Sequence, residues 1–129
     1  MTIGELLRRL APLDGAETFV IPDERYPYLT GTWDSYRGFY DELMLVGGKT
    51  DEGYNTVGAL EALLNSALRT GTMTGYKGGE YPITRHTRVW LAEYGESNGA
   101  VVGAPVHLGG TLYLLIAAPE ADFVHEDGT

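Results

Sequence analysis

The order of hydrophobic and polar residues divides the chain into two helical stretches and a series of strand-like ones. Ile3, Leu6, Leu7 and Leu10 recur at i, i+3, i+4 and i+7, which predicts a short helix over residues 2–11 with one apolar face. Thr2 and Glu5 are spaced as a capping box at its start, and Pro12 and Gly15 end it. Val57, Leu60, Leu64 and the pair Ala67/Leu68 trace a second stripe, predicting a helix over 56–70. Arg69 in its last turn suits the negative end of the helix dipole, and Gly71 suits the position just after it. Strands are predicted at 17–21, at 42–46, at 87–94, at 100–104 and at 111–117. Residues 23–34 are rich in Pro, Tyr, Gly and Thr and read as an irregular loop, and Gly47-Gly48 opens another loop that runs to Asn55. The runs 95–99 and 107–110 read as hairpin turns. Two helices with about five strands clustered late in the chain predict an α+β domain with a mostly antiparallel sheet. That single domain is expected over residues 1–118, followed by an acidic, flexible tail at 119–129.

Composition narrows the function classes. The chain has 129 residues, enough for one domain with a real core, and it has no cysteine. Disulfides, thiolate metal sites and a thiol nucleophile are therefore excluded. Eighteen acidic residues against nine basic ones give a formal net charge of −9, the wrong sign for a general binder of long nucleic acid. No run approaches the roughly 18 apolar residues of a membrane span, and charges interrupt the apolar runs of the N-terminus. The expectation is a cytoplasmic protein that engages neither membrane nor long nucleic acid.

Within the acidic chain, residues 69–88 form a basic island. Arg69, Lys77, Arg85 and Arg88 face only Glu80, so the segment carries +3 against −12 for the rest. Such an island is either a set of scattered surface charges or a platform for one small anion, since local field outweighs net charge inside a cleft. Two segments offer matching chemistry. Gly75-Tyr76-Lys77-Gly78-Gly79-Glu80-Tyr81 combines glycines that expose backbone N–H groups, a lysine suited to phosphate, and tyrosines able to stack on a base. Its spacing is not that of a Walker A loop, and a simple turn is the other reading. Ser35-Tyr36-Arg37-Gly38-Phe39-Tyr40 sets a guanidinium among aromatics, suited either to a phosphate or carboxylate or to a core or subunit interface. His86, His107 and His125 lack metal-site spacing. The carboxylates Asp34, Asp41, Glu42, Glu80 and Glu93 carry no acid–base motif, no nucleophile motif is present, and no cofactor motif is seen.

These segments, taken together, resemble a family of small bacteriophage proteins, especially of phages that infect actinobacteria. Its members carry a Ser-Tyr-Arg-Gly-aromatic-Tyr segment, a helix, a Thr-Gly-Tyr/Trp-Lys-Gly-Gly-Glu-Tyr segment and a strand ending in Glu-Tyr-Gly. The matching positions are Ser35 to Leu43, Thr74 to Tyr81 and Ala92 to Gly95, within residues 33–95. Pro82-Ile83-Thr84-Arg85 is more basic than the pattern. The resemblance implies a phage origin and no particular reaction. By analogy of size, polarity and site chemistry, phage sponge proteins that sequester the nucleotide signals of Thoeris and cyclic-oligonucleotide immunity are the nearest functional model.

The leading expectation is therefore a non-enzymatic anti-defence protein, acting in the infected cell. It would sequester a small phosphorylated nucleotide through Ser35, Tyr36, Arg37, Tyr40, Tyr76, Lys77, Gly78, Gly79, Tyr81 and Arg85. Tyrosine-rich loops favour interfaces, so a homo-oligomer is expected. Two alternatives stand beside it. One is an acidic, DNA-mimicking inhibitor of a host enzyme, which requires Asp23, Glu24, Asp34, Asp41, Glu42, Asp51 and Glu52 to form one face. The other is a hydrolase of the same nucleotide signal.

Overall fold

A computed structural model describes residues 1–37, 39–51, 55–75, 77–93 and 98–116. The elements run α1 (Ile3–Leu10), β1 (Phe19–Val20), β2 (Tyr28–Tyr36), β3 (Phe39–Gly48), α2 (Val57–Thr70), β4 (Thr72–Thr74), β5 (Glu80–Pro82), β6 (Val89–Ala92), β7 (Ala100–Val101), β8 (Val106–Leu108) and β9 (Thr111–Tyr113). The fold is α+β, with two helices. The described residues hold nine strands in three sheets rather than about five in one.

Both helices begin and end as their sequences require. Thr2 Oγ1 accepts from the Glu5 N–H at 3.1 Å, and Glu5 Oε1 accepts from the Thr2 N–H at 2.9 Å, completing the capping box of α1. Thr56 caps α2 through the Ala59 N–H, and Gly71 closes it in the left-handed conformation, its N–H donating to the Ala67 carbonyl.

The principal sheet has the order β2-β3-β6-β7. Its two central strands are parallel, pairing Leu43 with Val89 through Val46 with Ala92. Side chains alternate between faces. Leu43, Leu45, Val89 and Leu91 join Ile3, Leu6 and Leu10 of α1 and Val57, Leu60 and Leu64 of α2 in the main core. Met44, Val46, Trp90 and Ala92 turn the other way and form a second buried cluster with Tyr36 and Val101. Burial on both faces explains why β3 and β6 read as continuous apolar runs.

The strands expected at 17–21, 87–94 and 100–104 are shorter, as β1, β6 and β7, and three further differences change the picture. β2 starts at Tyr28, inside the stretch read as loop, and it is an edge strand interrupted by a register shift between Leu29 and Trp33. Gly31 and the nearby prolines hide an edge strand of this kind from pattern analysis. Gly47 and Gly48 end β3 rather than open a loop. The turn at 107–110 joins β8 to β9, so β8 is an additional strand, while residues 102 and 103 meet 115 and 116 through one bridge and one backbone bond. The expected tail at 119–129 lies outside the described residues. No helix among the described residues is long and apolar enough to cross a membrane.

Candidate functional site

Within residues 72–82, which the sequence shows as glycine and tyrosine mixed with charge, Thr72–Thr74 and Glu80–Pro82 pair as the hairpin β4–β5. Its turn is closed by the Gly75 N–H donating to the Gly79 carbonyl at 2.7 Å and the Gly78 N–H to the Gly75 carbonyl at 2.9 Å. Lys77, Gly78, Gly79 and Glu80 are exposed. This hairpin sits against the turn of the β2–β3 hairpin, where Arg37 is exposed.

Two contacts lock the hairpins together. The Ser35 hydroxyl donates to the Thr74 carbonyl at 3.1 Å. The Tyr40 and Tyr81 rings meet with centroids 6.0 Å apart at 47°. Gly75 is packed between them: a Cβ there would stand 2.8 Å from Tyr81 Cε2 and 3.1 Å from Tyr40 Cβ. Only a residue without a side chain permits that approach. The two segments singled out from the sequence, some forty residues apart, are thus neighbours.

The ten predicted site residues separate into groups. Arg37, Tyr40, Lys77, Gly78, Gly79 and Tyr81 lie at this junction, and Ser35 is buried there as its tie. Tyr76 lies outside the described residues. Tyr36 is only 1% exposed. Its ring stacks on Trp90 at 4.4 Å and 10°, and its hydroxyl accepts from the Gly99 N–H at 2.7 Å. It is a core residue. Arg85 belongs to another place: it lies against α1, where it lines a cleft with Arg8 and His86.

The basic island also disperses in space. Arg69 ends α2, Lys77 is in the β4–β5 turn and Arg85 faces α1. Arg88 Nη2 pairs with Glu42 at 2.8 Å while its Nε donates to the same carboxylate oxygen at 2.9 Å. The Trp90 indole N–H donates to the other oxygen of Glu42, and the Arg88 guanidinium lies 5.8 Å from the Trp90 ring centroid. Phe39 completes this group, stacked on Trp90 at 5.4 Å and 42% exposed. Glu42 and Trp90 are invisible as partners in the sequence because they lie 48 residues apart and meet only through the parallel β3–β6 pairing.

Several acidic residues are similarly occupied. Asp23 pairs with Arg25 at 3.1 Å and accepts from its backbone N–H at 2.8 Å. The hydrogen bond from the Arg25 side chain holds the Asp23 carboxyl below its ordinary range. Asp34 accepts from the Ser35 N–H at 2.7 Å. A groove of about 540 Å³, between β2 and α2 and lined by Trp33, Leu63 and Ser66, holds no charged side chain among the described residues.

No family model matches the chain, and no curated protein or solved structure matches it.

Proposed function

We propose that the chain is a non-catalytic binder of a small phosphorylated ligand of the nucleotide class, held at the junction of the two hairpins. The observation that supports this reading is the locking of the Arg37 turn beside the Lys77 turn by the Ser35–Thr74 bond and the fit of Gly75 between Tyr40 and Tyr81. In this reading Arg37 and Lys77 meet phosphate oxygens through charge-assisted hydrogen bonds. Tyr40 and Tyr81 offer ring faces and hydroxyls to the nucleoside, and the Gly78-Gly79 backbone approaches closely. Biologically, the proposal is a phage-encoded sponge for a nucleotide immune signal, working as a homo-oligomer in the infected cell.

The competing reading, an acidic inhibitor of a host enzyme, needs Asp23, Glu24, Asp34, Asp41, Glu42, Asp51 and Glu52 to form one face. Asp23 and Glu42 are instead paired with Arg25 and Arg88, and Asp34 is bonded to backbone.

The test is a thermal-shift panel of cyclic di- and trinucleotides, cyclic ADP-ribose isomers and plain nucleotides. A ligand at a hundred times its dissociation constant adds about 2.7 kcal/mol to stability, a readily measured shift. The bound compound is expected back intact by mass spectrometry. Arg37→Ala and Lys77→Ala are each expected to weaken binding about tenfold or more. Wild-type affinity in both variants would remove the assignment, and loss of ligand mass with time would replace the sponge by a hydrolase.

A further inference from the structure

We infer that Arg8, Arg85 and His86 form a second, separate anion site, built to take a single phosphate group. Together with Thr2, Gly4 and Glu5 they line a cleft of about 320 Å³ between α1 and the turn at residues 84–87.

The turn is fixed from within and from below. The Thr87 hydroxyl oxygen accepts from the Thr84 N–H at 2.9 Å, the Thr84 hydroxyl oxygen accepts from the His86 N–H at 3.1 Å, and the Thr87 N–H donates to the Thr84 carbonyl at 3.1 Å. The Arg85 carbonyl accepts from the Gly4 N–H and the Thr87 carbonyl from the Ile3 N–H, each at 2.9 Å. With the Thr2 and Glu5 N–H groups used in the capping box, the amides at the start of α1 are all occupied. Recognition here falls to side chains, not to the helix end.

The side chains are arranged for it. A Cβ on Gly4 would stand 3.1 Å from the Arg85 Cβ and carbonyl oxygen and 3.3 Å from its Nε, so the absence of a side chain at Gly4 lets Arg85 lie across the first turn. Arg8, Arg85 and His86 are exposed to solvent. Among the described residues neither Arg8 nor Arg85 makes an ion pair, in a chain with twice as many acids as bases. Beyond the Thr2 hydrogen bond, Arg8 lowers the Glu5 carboxyl through its charge without closing an ion pair, so both guanidiniums keep N–H donors for an anion in the cleft. Glu5 is the one carboxylate in the lining. Its hydrogen bond from the Thr2 N–H holds its carboxyl below the usual range and occupies one of its oxygens. Arg8, Arg85 and Glu5 give the lining a net charge of +1, with the His86 ring as a further hydrogen-bonding group, which suits a small anion. At about 320 Å³ the cleft lies near the lower end of the range for small-molecule sites, so it admits one phosphoryl group with a small substituent and no oligonucleotide. The hydrogen-bonded turn fixes the backbone beneath the cleft, so the ordering that opposes binding is confined to the exposed side chains.

The test is an NMR titration of the full chain with sodium phosphate, run against sodium chloride at matched ionic strength. A saturable perturbation of the Arg8 and Arg85 Nε–H signals and the His86 ring is expected with phosphate alone. Arg8→Gln with Arg85→Gln should weaken it at least about tenfold, whereas Arg37→Ala with Lys77→Ala should leave it unchanged. That contrast separates this site from the hairpin junction. Should the double variant lose its native amide spectrum, Arg8→Gln alone, an exposed change on α1, must still weaken binding severalfold. A nucleoside monophosphate titrated in parallel tells a free-phosphate site from a phosphomonoester site by which binds tighter, and either result supports the cleft. An equal response to chloride, a response confined to the hairpin turns, or unchanged affinity in the folded double variant overturns the inference.

Discussion

Removing the hydroxyl of Tyr36 separates a core role from a ligand-binding one. The ring is buried against Trp90, and its oxygen is the acceptor for the Gly99 N–H at 2.7 Å. Tyr36→Phe keeps the stacked ring and leaves a half-buried N–H without that partner. Such an unmet donor costs about 1–3 kcal/mol, and its partial burial places this one in the lower part of the range, about 1–2 kcal/mol. Tyr36→Ala also opens a large cavity and abolishes the stacking, so its cost should rise to about 4–5 kcal/mol. Equilibrium urea denaturation reads both: with a slope of about 1–3 kcal/mol per molar, Tyr36→Phe should lower the midpoint by roughly 0.3–2 M, at unchanged slope. Affinity for any ligand found in the nucleotide panel should not change in Tyr36→Phe. An unmoved midpoint combined with lost ligand affinity would refute the core assignment and return Tyr36 to the binding surface.

Two further outcomes follow from particular contacts. Gly75→Ala places a methyl within 2.8 Å of Tyr81 and 3.1 Å of Tyr40, so it should spread the two hairpins, cost about 1–3 kcal/mol by overpacking and reduce nucleotide affinity; full affinity at wild-type stability would show that the junction does not shape the site. Asp23 has its carboxyl lowered by Arg25, so its share of stability is present above the unfolded pKa of about 3.9 and is lost as pH falls through the folded value. Asp23→Asn should therefore lower the melting temperature near neutrality and converge with wild type on acidification, and a constant gap down to about pH 3 would contradict the pairing.

The contrast between the hairpin junction and the Arg85 cleft shows what kind of information the chain carries locally. Both helices could be read from spacing because their apolar stripe, N-cap and terminating glycine or proline all lie within one short window. The α+β class followed from the mixture of periods. The chemistry of the Arg37 and Lys77 segments was legible one segment at a time, but their closeness was not: what joins them is a side chain-to-backbone bond between Ser35 and Thr74, which no local pattern encodes.

Charge was the least faithful local signal. Arg69, Lys77, Arg85 and Arg88 are neighbours along the chain but go to four different surroundings, because a helix end, a hairpin turn, a pinned loop and a parallel strand intervene. Arg88 is neutralised by Glu42 across the β3–β6 register, while Arg85 meets Arg8 from a helix seventy-seven positions earlier. Tyr36 likewise reads as a ligand residue by its neighbours in sequence and becomes core through Trp90 and Gly99. Residue by residue, the sequence determined the helices, their caps, the apolar faces and the absence of cysteine chemistry, since these depend on contacts within a turn or two. The order of the strands, the edge strand β2, the second buried cluster and the long-range ion pairs Arg88–Glu42 and His107–Glu17 were decided by the tertiary structure alone, because pairing across a sheet joins residues whose separation along the chain carries no trace of their meeting.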